Sequence, residues 1–357
     1  MSDWLLVEQV EPVGMEATGV YWRPVFSVLE ERFTCWLLNA QHMHNVPGRK
    51  TDVSDSVWIA QLLEHGLVRP SFVPPREMRD LRDLTRSRTA VTQERVRMIQ
   101  RLEKVLQDAG IKLTSVAAQA YSKSARAILD ALVDGERDPH VLASLVKGRM
   151  RSMQERLGEA LGHRCRVDHH GVLVRRLLEH LDTLDASVED LSREIARRLE
   201  PHADLLALLC TIPAVGAKTV QVLAAEIGLD MEVFPTTGHL ASWAGVCPGN
   251  KASGGKRRSG SRWLKQALTE AAWGAARTKG TYLSAHHAQI RGRAGRYKAI
   301  GATRHDIIVA YWHIAHDRVP YRELGADWVS RRYSPEHRAR RLISQLGPGV
   351  RVCCRSR

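Results

Sequence analysis

The amino-acid sequence predicts a small α/β segment followed by a longer, mainly α-helical chain. Up to about Pro75, β-like runs alternate with helical ones, which is typical of an α/β domain. After Pro74-Pro75 the apolar residues recur at helical spacing. We therefore expect an α/β domain over residues 1–75, a helical coiled-coil region over 76–200, a helical domain over 201–330 and a basic tail over 331–357.

The first region contains two strand-like and two helix-like runs in alternation. Strands are expected at residues 10–15 and 34–39, and helices at 21–31 and 53–65. A sheet of two or three strands cannot bury much apolar surface. This domain therefore looks small for an independent one.

Heptad spacing dominates the second region. One run is interrupted by Arg88 and Arg95, and it consists of Leu81, Leu84, Val91, Met98, Leu102 and Val105. A second run alternates spacings of three and four without a break: Val174, Leu177, Leu181, Leu184, Val188, Leu191 and Ile195. Such an apolar seam can close against a helix of the same chain or of another copy. The sequence leaves both alternatives open.

The charge balance favours a polyanionic partner. The 357 residues contain 53 Lys and Arg against 39 Asp and Glu, a net charge of +14, and the tail beyond Arg331 is rich in arginine. Nucleic acid is the expected partner, because neutralised phosphates release counterions, and an anionic membrane surface is the weaker alternative. The sequence shows no basic signal-peptide start, no apolar run of membrane-spanning length and no paired-cysteine motif. These features predict a cytoplasmic protein.

Three acidic residues form a candidate metal site. Asp52 and Asp55 lie three residues apart on a predicted helix, so both carboxylates share one face and can share a divalent ion. Glu16 lies where a strand ends and a helix begins, the position where open α/β sheets place functional groups. Together they make a plausible cluster for Mg²⁺. The alternative is that the aspartates only cap their helix and that Glu16 is solvated.

A tight turn in the third region is a candidate phosphate site. The segment Ile212-Pro213-Ala214-Val215-Gly216-Ala217-Lys218-Thr219 separates two helical runs, which resembles a helix-hairpin-helix motif. In that motif the amides at a helix N-terminus face a phosphate, so Gly216 and Lys218 are candidate nucleic-acid contacts. Ala214 stands where the motif usually has its first glycine. A plain helix turn is the equal alternative.

A Gly-rich basic loop offers a candidate nucleophile. Ser253 precedes two glycines, and the cations Lys256, Arg257 and Arg258 follow, which supplies phosphate-binding charge beside a hydroxyl. The alternative is a flexible basic loop, and no base for Ser253 is evident from the sequence. A further His and Cys group matches no standard zinc spacing and is interpreted as part of a helix connection: His163, Cys165, His169 and His170.

In this order the segments resemble one family, the DEDD-type insertion-sequence transposases of the insertion sequence one-ten family, which are RNA-guided recombinases. The resemblance extends over about residues 13–328. It rests on Met15-Glu16-Ala17-Thr18-Gly19-Val20-Tyr21-Trp22, Lys50-Thr51-Asp52 with Asp55, Ile212-Pro213 with Val215-Gly216, and Ser253-Gly254-Gly255-Lys256.

The resemblance implies a RuvC-like, RNase H-fold domain, then a coiled-coil region, then a helical transposase domain. It implies that Glu16, Asp52 and Asp55 are the second, third and fourth acids of a metal-binding tetrad, and that Ser253 attacks the DNA backbone. It further implies a non-coding bridge RNA and a homo-oligomer in which the acids of one subunit meet the serine of another.

One departure concerns the first acid of the tetrad, which the family carries on a strand well upstream of the glutamate. The one aspartate that precedes Glu16 here is Asp3, which lies outside any strand-like context. We therefore expect the opening strands to be absent, through a late start codon or a decayed gene, with impaired two-metal binding. The leading hypothesis is a DNA transposase. The rivals are a metal-dependent DNA junction nuclease that uses water, and a non-catalytic nucleic-acid-binding remnant.

Overall fold

The computed structural model describes residues 1–17, 19–39, 52–111, 121–146, 155, 167–247 and 260–328. For residues 52–55, 123, 167 and 168 the description covers the backbone and not the side chain. Helices predominate, and the strands of the described residues form one two-stranded sheet. None of the described helices is long and apolar enough to span a bilayer.

The first region has the predicted order of strand, helix, strand and helix. Its elements are α1 Ser2–Val7, β1 Pro12–Glu16, α2 Trp22–Leu29, β2 Thr34–Leu38 and α3 Asp52–Glu64. The two strands are parallel and run in register from the Pro12–Thr34 pair to the Glu16–Leu38 pair. A Cβ added to Gly14 would lie 2.5 Å from Leu63 Cδ1. The helix α3 therefore packs directly on the backbone of β1.

The second region is a helical hairpin with shorter helices beside it. The long helices are α4 Arg76–Asp108 and α7 Val172–Leu199, and α5 Lys123–Val133 and α6 Pro139–Ser144 lie between them in sequence. Ion pairs Arg198–Asp80 and His170–Asp108 join opposite ends, so α4 and α7 run antiparallel. The predicted seam of α7 thus packs on a helix of the same chain. Oligomerisation stays a prediction.

The heptad pattern of α4 is interrupted for a reason that the sequence did not indicate. Arg88 is only 5% exposed, because it points away from α7 toward the third region and donates to Gln221 Oε1 at 2.6 Å. Arg95 instead faces the hairpin, where it forms an ion pair with Asp185 of α7. One face of α4 therefore serves the hairpin and another serves the third region.

The third region contains the largest core. A 3₁₀ turn at Glu200–His202 leads into α8 Ala203–Leu209, α9 Ala217–Ile227, α10 Thr237–Trp243, α11 Arg262–Arg277, α12 Tyr282–Ala294 and α13 Arg296–Asp317. The helix α13 is central, with Ile307, Ile308 and Tyr311 fully buried. The Tyr311 hydroxyl donates to the Gly228 carbonyl at 2.8 Å, and Trp312 Nε1 donates to the Phe234 carbonyl at 2.8 Å. Trp312 is therefore part of this core.

Candidate functional site

The three candidate metal ligands lie on two elements that pack together. Glu16 is the last residue of β1, at the carboxyl end of the strand, and its residue is partly exposed. Asp52 is the first residue of α3, and Asp55 follows within its first turn. The side chains of Asp52 and Asp55 lie outside the described residues. The structure thus gives the strand end and the helix that covers it, but no distance between the carboxylates.

The predicted helix-hairpin-helix segment forms a tight turn between α8 and α9. Ile212 and Val215 are buried, and Gly216 is the N-cap of α9. Gly216 and Lys218 are exposed, so the first amides of a helix of eleven residues lie beside an exposed surface cation. This arrangement suits a phosphate group.

Ala214 adopts the conformation that explains why a glycine is usual at its position. Its φ is +64°, in the left-handed region that costs an L-residue about 1–2 kcal/mol. A Cβ added to Gly274 of α11 would lie 2.8 Å from the Ala214 Cβ. The absence of a side chain at Gly274 therefore leaves room for the alanine. This pairing could not be predicted from the sequence, because the two residues are sixty positions apart.

The serine loop, defined as residues 248–259, lies outside the described residues, and with it Ser253, Lys256, Arg257 and Arg258. Its flanks are described and lie against each other. A Cβ on Gly260 would come within 2.5 Å of the Ala244 carbonyl oxygen, so the two backbones touch. The next residue, Ser261, caps α11 by accepting from the Leu264 amide. Both ends of the serine loop are thus attached to one place on the helical core.

Glu226 is a buried carboxylate that anchors the end of this loop. It is 1% exposed and receives two donors from Arg86, Nε at 2.7 Å and Nη2 at 3.0 Å, and the Ser261 hydroxyl at 2.7 Å. Arg82 donates to the carbonyl oxygen of Ala225 at 2.7 Å. Burial lowers the pKa of Arg82 to about 10, although Glu226 opposes that shift, so Arg82 remains charged at neutral pH. Glu226 therefore connects α4, α9 and the start of α11.

Sequence reasoning missed Glu226 because a single glutamate in a helix matches no motif. The available signal was its setting, since Glu226 is the one acid in the apolar run from Val220 to Ile227. A charge on such a run is buried only with a partner. Its partners, Arg86 and Ser261, lie 140 and 35 positions away.

A cavity of about 400 Å³ lies beside these groups, between α4, α9 and α11. Lys218 lines it at one end of α9 and Glu226 at the other. Other polar lining residues from α4 and α11 include Thr89, Gln93 and Gln266. The candidate phosphate turn and the anchor of the serine loop therefore share one cavity.

A group of one aspartate and two histidines, in the second region, brings possible metal-ligand atoms together. Asp108, His169 and His170 have donor atoms within 4.8 Å of one another, and His170 Nε2 lies 3.0 Å from Asp108 Oδ2. His169 and His170 belong to a π-helical turn, Val167–Gly171, at the start of α7. Two imidazoles and one carboxylate suit zinc better than Mg²⁺. This group is separate from the acids predicted to hold Mg²⁺.

Comparison with known proteins gives two family-model matches. A model of DEDD transposases of the IS110 type matches residues 4–111, and the model of the transposase IS116/IS110/IS902 family matches residues 206–288. Together they cover more than half of the chain. They include Glu16, Asp52 and Asp55 in the first match, and Gly216, Lys218 and Ser253 in the second.

Two curated relatives agree with these matches. The chain is 37% identical over 103 residues to the "Insertion element IS110 uncharacterized 43.6 kDa protein" of Streptomyces coelicolor, which covers 27% of this chain and 25% of the relative. It is 32% identical over 90 residues to the "Probable family 20 transposase" of Pseudomonas aeruginosa, covering 25% and 26%. The alignments thus span about a quarter of these relatives. On the two model matches and these relatives, the chain belongs to the IS110 family of DEDD-type transposases.

Proposed function

We propose that this chain is a DNA transposase or recombinase that exchanges strands by phosphoryl transfer, with Ser253 as the nucleophile. Family membership over both the acid-bearing and the serine-bearing segment carries the proposal. The geometry supports it in one respect above all. Glu226, Ser261 and the Gly260–Ala244 contact hold the two ends of the serine loop beside the cavity that Lys218 lines.

The acids of the first region fit Mg²⁺ by their chemistry. Carboxylate oxygens are the ligands that Mg²⁺ prefers, and Glu16 presents one at the carboxyl end of a parallel strand. Asp52 and Asp55 begin the helix that packs on that strand, so they are the other expected ligands. When bound, the ion would offset charge on the oxygens of the reacting phosphate. The RuvC-like fold of this domain is part of the same proposal.

In the proposed step the Ser253 Oγ forms a bond to phosphorus, and the bond from phosphorus to one sugar oxygen breaks. The serine proton passes to a base, and the departing sugar oxygen takes up a proton to leave as a hydroxyl. Lys256, Arg257 and Arg258 offset the charge that develops on the phosphate. The resemblance implies that the acids of another subunit meet the serine, which would explain why no base is evident near Ser253 in sequence.

A bridge RNA and a homo-oligomer belong to the proposal through the family resemblance. The net charge of +14 favours polyanionic partners of either kind, because each neutralised phosphate releases condensed counterions.

The test is the substitution Ser253→Ala, with Ser259→Ala of the same loop as the matched control. Purified chain is incubated with Mg²⁺, family-type insertion-end DNA and the RNA encoded beside the gene, and covalent adducts are separated on a denaturing gel. We expect adducts in the parent and in the Ser259→Ala protein and none in the Ser253→Ala protein, whose DNA affinity is unchanged.

The rival functions give different outcomes. Adducts that persist after Ser253→Ala would remove the serine from the mechanism. Mg²⁺-dependent cleavage that is equal in all three proteins and leaves no adduct would identify the water-using nuclease. Salt-sensitive binding without cleavage in any protein would identify the non-catalytic remnant.

A further inference from the structure

The junction of α12 and α13 forms an exposed basic surface, here called the basic corner: Arg291, Arg293, Arg296 and Lys298. The chain reverses at Gly295, whose φ is +86°, so the end of one helix and the start of the next lie side by side. All four cationic residues are exposed. The corner lies beyond the second family-model match, which ends at residue 288. It is also separate in sequence from the turn at Gly216 and from the serine loop.

The charge around the corner is of one sign. Residues 271–305 contain seven Lys and Arg residues and no Asp or Glu. Within the described part of the chain, none of the four corner residues forms an ion pair. The exposed arginines of α7 differ, because Arg176, Arg193 and Arg197 each pair with a carboxylate three residues away. The basic corner therefore presents uncompensated positive charge.

Two aromatic side chains support the basic corner. The Arg296 guanidinium lies 4.3 Å from the ring centroid of Trp273, so its position is restricted before any ligand binds. Tyr297, which follows Arg296 and precedes Lys298 in the sequence, is 92% exposed. An aromatic ring beside exposed cations is typical of nucleic-acid contact surfaces, where it packs on sugars or bases.

The positive charge of the basic corner also affects the buried His287. Burial lowers the pKa of His287, and the charge of Arg291 lowers it further. The helix α13 also begins here, with 22 residues and with Gly295 as an N-cap that offers no side chain to the first amides. These amides add positive potential to that of the four side chains.

We propose that the basic corner binds the sugar-phosphate backbone of duplex DNA. A membrane surface fits less well, because an anchoring surface needs apolar side chains to insert and Tyr297 is the large exposed apolar residue here. The choice of DNA over RNA rests on the proposed function. The assignment of a phosphate-bearing ligand does not rest on the proposed function, because it follows from the charges of the corner.

The experiment measures the affinity of the full chain for a fluorescent DNA duplex by anisotropy across a series of salt concentrations. In the test variant the four corner cations are changed to glutamine, which removes the charge but keeps a polar side chain of similar helix propensity. The matched control removes the same charge from the paired face of α7, through Arg175→Gln, Arg176→Gln, Arg193→Gln and Arg197→Gln. Thermal unfolding followed by circular dichroism checks that both variants are folded.

Each phosphate contact contributes about 0.9 to the slope of log K against log salt on B-DNA, so the slope should fall by up to about 3.6 in the test variant. We expect the Kd at about 0.15 M salt to rise roughly tenfold or more, and to change little in the control variant. Equal weakening of both variants would overturn the proposal, since net charge alone would then explain binding. Unchanged DNA binding in a folded test variant would also overturn it.

Two further measurements keep the inference separate from the proposed function. The single substitutions Arg293→Gln and Tyr297→Ala should each weaken duplex binding several-fold, which tests the surface if the fourfold variant is unstable. In the same titrations, the fourfold variant should lose less affinity for single-stranded RNA than for duplex DNA. The reverse order would overturn the assignment to DNA. A parent protein that binds through the corner but forms no serine adduct would disprove the catalytic proposal alone.

Discussion

Replacing Glu226 with glutamine removes the negative charge of a buried group and keeps its shape. In the parent the carboxylate accepts two hydrogen bonds from Arg86 and one from Ser261, and it is 1% exposed. In the variant one acceptor oxygen becomes an NH₂ group that faces donors. At least one donor of Arg86 or Ser261 then loses its acceptor, and the guanidinium keeps its charge without a counterion.

The size of the effect follows from the burial of both partners. Breaking a buried ion pair by removing one member costs about 3–5 kcal/mol. The Arg86 side chain retains 23% exposure, which lets water compensate part of its charge and favours the lower end of that range. We therefore expect a loss of about 3 kcal/mol in the free energy of unfolding. The exposed acid Glu232, changed to glutamine, is the matched control and should cost less than about 0.5 kcal/mol.

Urea unfolding followed by circular dichroism measures this loss. A loss below about 1 kcal/mol in the Glu226→Gln protein would refute the reasoning, because it would mean that the pair contributes no more than a surface ion pair. The double variant Arg86→Met with Glu226→Gln supplies a second check. It should be more stable than Glu226→Gln alone, since it removes the uncompensated buried charge.

Three more outcomes follow from the structure. Gly260→Ala should destabilise the third region by about 1–3 kcal/mol, because its Cβ would lie 2.5 Å from the Ala244 carbonyl oxygen. Thermal unfolding measures this, and an unchanged midpoint would contradict that contact. Gly274→Ala should destabilise by a similar amount against the Ala214 Cβ, and the further change Ala214→Gly should restore part of the loss. The pKa of Asp182 is held below its usual range, first by its hydrogen bonds with Arg126. The stabilisation that the ionised Asp182 contributes is therefore present at neutral pH and is lost as the pH falls through the lowered pKa. Asp182→Asn should lower the free energy of unfolding by about 1 kcal/mol or less at pH 7, and by progressively less in acid. A loss that does not depend on pH would show that the ionised carboxylate is not its cause.

The elements of the first region were predictable because their signals are local. Strand β1 was expected at residues 10–15 and lies at Pro12–Glu16, and β2 was expected at 34–39 and lies at Thr34–Leu38. Apolar runs bounded by polar turns fix such elements without reference to distant residues. The seam on α7 was equally visible, but its partner was not. A heptad pattern shows that a helix has an apolar stripe and does not show which helix covers it.

The parts that escaped prediction are those where two distant segments meet. Arg88 interrupts the apolar seam as expected, but its burial against Gln221 was not predicted. The left-handed Ala214 requires the small Gly274 opposite, and neither residue indicates the other in sequence. Of the candidate site, sequence located the turn at Gly216 and Lys218. The roles of Glu16, Asp52, Asp55 and Ser253 stay predictions.

The helix α4 connects the parts of the chain that carry the predicted chemistry. Near its start Arg79 donates to Glu30 Oε2 at 2.9 Å, next to the end of α2 in the α/β segment. One and two turns later, Arg82 and Arg86 bind the end of α9 and Glu226. Because these contacts fall within eight residues of one rigid helix, a displacement of the α/β segment would be transmitted to the anchor of the serine loop. A substitution at Arg79 should therefore alter hydrogen exchange around Ser261 as well as around Glu30, whereas a change confined to Glu30 would show that the two contacts are independent.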